Sequence, residues 1–99
     1  ISPGCGIYKS TNGGQSWTFV GLKGSEHIGR IVVDPRDANV AYAAALGPAW
    51  RSGGERGLYK TTDGGANWQL VKGVGDRAGF VDVDLDPANP DVVWAASYE

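Results

Sequence analysis

Methionine is absent from the 99 residues, cysteine and histidine occur once each, and no apolar run approaches membrane-spanning length. Each shortage excludes something. Cys5 alone can form neither an intrachain disulfide nor a cysteine metal cluster. A bilayer span needs roughly 18 or more consecutive apolar residues, so no transmembrane helix is expected. The net charge of −2 leaves no basic excess, which argues against nucleic acid or an anionic membrane as partner. No phosphate-cradling glycine loop, nucleophile elbow or His/Cys ligand cluster occurs, so neither a cofactor nor a metal is expected. Helical periodicity is also nearly missing from the chain.

What the chain does have is glycine, 16 in all, with four Trp, four Tyr and two Phe. The glycines follow no collagen period and read as turns. Residues 6–17, GIYKSTNGGQSW, return as residues 57–68, GLYKTTDGGANW, with seven of twelve positions identical. Asp34-Pro35 returns as Asp86-Pro87, so the first pair of segments is offset by 51 residues and the second by 52. A period of about 50 residues is the size of one propeller blade or a similar all-β repeat.

Short apolar runs bounded by turn residues read as strands. They are Ile31-Val32-Val33 with Val40 to Ala44, and Val81, Val83 and Leu85 with Val92 to Ala96. Asp-Pro between the members of each pair favours a type I turn. The repeated motif is itself a hairpin: Asn12-Gly13-Gly14 and Asp63-Gly64-Gly65 supply the positive φ values of a tight turn. In order, the chain predicts two strands over 7–20, four over 28–46 and 58–71, and two over 80–98. That is an all-β antiparallel fold with one complete four-stranded unit flanked by two half units. The whole of 1–99 is one segment with repeat frames 6–56 and 57–99. Two blades cannot close a ring and leave apolar faces uncovered. The expected partner is therefore the chain itself, as a domain-swapped dimer or a ring of several copies.

Ser10-Thr11-Asn12-Gly13-Gly14-Gln15-Ser16-Trp17 and Thr61-Thr62-Asp63-Gly64-Gly65-Ala66-Asn67-Trp68 resemble the Asp-box, or BNR repeat, S/T-x-D-x-G-x-T/S-W. Two copies at blade spacing make the resemblance specific, and it covers nearly the whole chain. The motif occurs in sialidases, xyloglucanase-type glycoside hydrolases and the sortilin ectodomain. The pattern as a whole is most similar to secreted bacterial sortilin-like and glycosyl-hydrolase-like BNR proteins. The chain departs from the motif at Asn12, in place of Asp, and at Asn67, in place of Thr or Ser. The resemblance implies a β-propeller blade with the box on the turn between its third and fourth strands. It also implies a secreted or periplasmic parent protein, whose signal peptide is not in this chain. It gives Ser10, Asn12, Gly14, Trp17, Thr61, Asp63, Gly65 and Trp68 a structural role. The residue chemistry agrees, because a short carboxylate or amide accepts hydrogen bonds from turn N–H groups.

Propeller topology would put the loops 21–27, 47–57 and 73–78 together on the opposite face. Those loops hold the candidate ligand-binding residues His27, Trp50, Arg51, Glu55, Arg56 and Arg77. An indole stacks on the apolar face of a sugar, and a guanidinium grips hydroxyls or carboxylates in a planar fork. Carbohydrate or peptide binding is the expectation. His27 beside Glu26 is a candidate acid–base couple near neutral pH. Asp82, Asp84 and Asp86 alternate along one strand, so Asp82 and Asp84 are the candidate catalytic carboxylates if the segment derives from a glycoside hydrolase, since glycosidases use two such groups. The repeat offset sets Arg30 opposite Asp82, where an ion pair between neighbouring units would occupy the carboxylate instead. Three readings stand: a non-catalytic structural and binding segment, a glycoside hydrolase fragment, and a sortilin-like protein-binding module.

Overall fold

The computed structural model describes residues 6–25, 27–47, 56–73, 75 and 78–98. Among them the chain runs as eight strands with one 3-10 turn at Lys23–Ser25. The strands are β1 (Ile7–Lys9), β2 (Thr18–Gly21), β3 (Ile28–Val33), β4 (Ala41–Ala45), β5 (Gly57–Thr61), β6 (Gln69–Lys72), β7 (Gly79–Leu85) and β8 (Val93–Tyr98). They form three antiparallel sheets, β1-β2, β3-β4-β5-β6 and β7-β8. The division into two, four and two strands is the one the repeat spacing predicts. No helix of the described residues is long and apolar enough to cross a membrane.

Both faces of the central sheet are covered along β4 and at the start of β5. On one face Ala44 and Leu58 pack against Phe80 and Val83 of β7, joined by Val32, Tyr42 and Val93. On the other, Ala43 packs against Ile7 and Leu22, joined by Val20, Ile28, Tyr59 and Trp68. Ala43, Ala44 and Ala45 are all fully buried. Successive strand residues point to opposite faces, so this burial requires a sheet sandwiched on both sides.

Bulges set which residues face inward. The β3–β4 register slips between Ile28 and Arg30, and the β7–β8 register slips at the repeat-equivalent place, between Phe80 and Asp82. One extra residue there reverses the alternation upstream of it. Phe80 therefore shares the inner face with Val83 and Leu85, whereas Val81 is 38% exposed. The plain alternation Val81-Val83-Leu85 is corrected by that bulge. Asp86 lies beyond β7, in the following turn, so it does not continue the row of Asp82 and Asp84. At the first bulge a Cβ on Gly29 would sit 2.5 Å from the carbonyl oxygen of Val81. Only glycine lets β3 and β7 come this close.

The two Asp-Pro turns are built alike. Asp34 Oδ1 accepts the N–H of Arg36, and Asp86 Oδ1 that of Ala88, each at 2.8 Å. Arg36 also ties the two turns together, donating from Nη2 to Asp34 Oδ2 at 2.8 Å and to Asp91 Oδ1 at 3.0 Å.

Candidate functional site

The registers put the long connections at one end of the sheets. Ile28 lies opposite Ala45, Ala45 opposite Gly57, and Leu58 opposite Lys72. Segments 21–27, 46–57 and 73–78 all leave from that end. The repeated motif turns and the Asp-Pro turns occupy the other.

A small polar cluster organises the loop end. Ser25 is fully buried, and its Oγ donates to the His27 carbonyl at 2.8 Å while accepting the Gly47 N–H at 3.1 Å. The N–H of Leu46 closes the same corner on the His27 carbonyl at 3.0 Å. His27 Nδ1 lies 3.1 Å from the Gly47 carbonyl. A carbonyl only accepts, so Nδ1 is the nitrogen that carries a proton in this contact. Arg56 donates from Nη1 to the Leu46 carbonyl at 3.1 Å. Gly47 adopts a φ of 86°, and the Arg56 stem lies against it so closely that a Cβ there would overlap Arg56 Cγ. His27 and Arg56 thus reach neighbouring carbonyls, those of Gly47 and Leu46. Nothing in the sequence singled out Ser25, because its role depends on two loops twenty residues apart meeting over it. Glu26, Trp50, Arg51, Glu55 and Arg77 lie outside the described residues.

At the opposite end the two motif turns match bond for bond. Ser10 Oγ donates to Asn12 Oδ1 at 2.9 Å and accepts the Gly14 N–H at 2.8 Å. Thr61 Oγ1 donates to Asp63 Oδ1 at 2.8 Å and accepts the Gly65 N–H at 3.0 Å. Asn12 Oδ1 accepts the Ser16 N–H at 3.0 Å, as Asp63 Oδ1 accepts the Asn67 N–H at 2.9 Å. The last bond of each turn explains both departures from the motif. Asn12 Nδ2 donates to Ser16 Oγ at 2.8 Å, and Asn67 Nδ2 donates to Asp63 Oδ2 at 2.9 Å. The donor and acceptor have exchanged places between the two positions. The amide of Asn67, its N–H and the Thr61 hydroxyl hold the Asp63 carboxyl down to about 2. These groups consume the turn's polar capacity internally, which is the behaviour of scaffold.

Comparison with protein-family models, curated proteins and solved structures returns no match.

Asp82 and Asp84 of β7 line one open pocket together with Trp94, Ala95 and Ala96. Asp82 lies 3.7 Å from Arg30 Nε and accepts the N–H of Val83. Asp84 accepts the N–H of Leu85, and Asp86 is spent in its turn. Among the described residues, no group of three or more His, Cys, Asp or Glu side chains is placed to hold a metal ion.

Proposed function

We propose that this chain is a non-catalytic Asp-box propeller segment, its sheets being one complete blade between two half blades, and that it binds carbohydrate or peptide through the loop end. One observation carries the reading: the polar groups at the two ends are used in opposite ways. The motif turns spend theirs on themselves, whereas the loop corner ties down backbone through Ser25 and holds the exposed His27 and the Arg56 guanidinium at the adjacent carbonyls of Gly47 and Leu46. A donor-rich corner on a fixed backbone suits hydroxyl or carboxylate groups. Trp50 and Arg51 belong to the same loop in sequence and add a stacking surface and a second fork.

The glycoside hydrolase alternative has less support, because Asp82 is engaged by Arg30 and Asp84 by its own backbone. A glycan array and a peptide library, probed with the full chain, test the binding reading. The expected result is a ligand whose signal drops at least tenfold in both Arg56→Ala and Trp50→Ala. Blank arrays, or turnover of aryl glycosides lost in Asp84→Asn, would overturn it.

A further inference from the structure

We propose that β8 of one molecule pairs with β1 of a second molecule of this chain, with Trp94 seated over Ile31 and Val33 of that second molecule. This rests on the reading of the sheets as blades. The central sheet supplies the template, since it contains both halves of the repeat already joined. There β4 meets β5 with Ala41 opposite Thr61, Tyr42 opposite Lys60, Ala43 opposite Tyr59 and Ala44 opposite Leu58. Shifting each strand by its own repeat offset sets Val93 opposite Ser10, Trp94 opposite Lys9, Ala95 opposite Tyr8 and Ala96 opposite Ile7. Among the described residues β8 pairs with β7 alone and β1 with β2 alone, so both edges are free to receive these bonds. A free edge bearing unpaired N–H and C=O groups is a template for another strand.

Repeat-equivalent positions differ in burial in the way this pairing explains. Val83 and Leu85 on β7 are 1% and 9% exposed beneath the four-stranded sheet, whereas their counterparts Ile31 and Val33 on β3 are 45% and 51% exposed. The sheet next to Ile31 and Val33 has only its two outer strands, β1 and β2. A groove of about 160 Å³ remains beside β1, lined by Ile31, Val33, Ala38, Tyr8 and Trp68. Tyr42, which packs in the cluster containing Val83, corresponds to Trp94, which is 67% exposed in the single chain. Inserting β7 and β8 of a second copy places Trp94 where that groove lies. Lys60 Nζ stands 5.3 Å from the centre of the Tyr42 ring, and the same register brings Lys9 to the Trp94 ring.

Charge agrees with the same partner. Arg30 and Asp82 hold equivalent places on β3 and β7 and meet within the chain. Head-to-tail copies continue the series as Arg30, Asp82, Arg30, Asp82, so every neighbour is of opposite sign. A ring built from this chain has an even number of four-stranded units, and two, three or four copies fall in the usual range of four to eight.

Sedimentation of the chain at tens of micromolar, with cysteine cross-linking in a Cys5→Ser background, tests the proposal. The expected particle holds two, three or four chains, and Trp94→Glu shifts it to monomer while the far-ultraviolet strand signal persists. Directly opposed Cα atoms lie within disulfide reach, and residues one place out of register face opposite sides. A mixture of Ala95→Cys with Tyr8→Cys should therefore oxidise to a mixed dimer at least tenfold more than a mixture of Ala95→Cys with Lys9→Cys. A wild-type monomer, or equal cross-linking in the two mixtures, overturns the pairing. The array measurement reads the loop end independently: a monomer that binds glycan defeats only the pairing, and a multi-chain particle that binds nothing defeats only the binding reading.

Discussion

Trp68 donates its indole N–H to the carbonyl of Val20 at 2.8 Å, with its ring against Gly21, and so fastens the second motif turn to β2 of the preceding sheet. Trp68→Phe keeps most of the ring and removes the donor. Urea unfolding should show a loss of about 1 kcal/mol, the usual net value of one such bond. Trp17 holds the equivalent place in the first turn and is 61% exposed. Trp17→Phe should leave the dilute chain unchanged but lower the midpoint of the concentrated protein, because the proposed pairing would give that indole a carbonyl to meet.

The exchanged donor and acceptor of the two motif turns predict a compensation. Asp63→Asn turns an amide toward the Asn67 amide where a carboxylate stood, and the urea midpoint should fall. Adding Asn67→Ser recreates the pairing of Asn12 with Ser16 and should recover most of the loss. A double-mutant cycle that finds the two changes additive would refute this account.

Acid should unfold the chain in two turns at once. The Arg36 guanidinium holds the Asp34 carboxyl near 2, and the Asn67 and Thr61 donors hold Asp63 near 2 as well. Both folded-state values lie below the ordinary carboxylate pKa of about 4, so the stability they contribute is present above that value and drains away as pH falls toward about 2. Arg36→Ala removes the guanidinium but keeps the N–H of residue 36 on Asp34 Oδ1, so the share of the acid loss due to Asp34 should shrink. Denaturant midpoints measured from neutral pH down to about 2 should be flatter for Arg36→Ala and flatter again with Asp63→Asn.

Gly29→Ala should be strongly damaging to this fold. Its Cβ would meet backbone of β7 at 2.5 Å, with no side chain available to yield. Forcing β3 and β7 apart should cost about 1–3 kcal/mol. Gly13→Ala meets nothing within 4 Å and carries only the strain of a φ of 72°, so it should cost less than Gly29→Ala in the same urea titration.

Much of the architecture was legible because the chain states its plan twice. The offsets between copies predicted the strand count, the two-four-two division and the meeting of Arg30 with Asp82. The bulges at Gly29 and Val81 were not legible. Val81-Val83-Leu85 alternates cleanly on paper, and a one-residue slip in pairing leaves no mark in composition. The burial of Ser25 was equally silent, since it depends on Gly47 arriving from another loop. The exchange between Asn12 and Asn67 could be seen only as two departures from the motif, until side-chain geometry showed them to be one solution written in two ways. For the site itself, the sequence grouped His27 and Arg56 through their loops, while the carbonyls of Leu46 and Gly47 that hold them carry no signal in residue type.

The bridge from Arg36 to Asp91 gives the repeats a direction. The residue equivalent to Arg36 in the second repeat is Ala88, and the residue equivalent to Asp91 in the first is Asn39. Two first repeats in tandem would set Arg36 against asparagine, and two second repeats would set alanine against Asp91. Only the first followed by the second joins cation to anion. The duplicated halves have ceased to be interchangeable, and their linear order is recorded in that single contact.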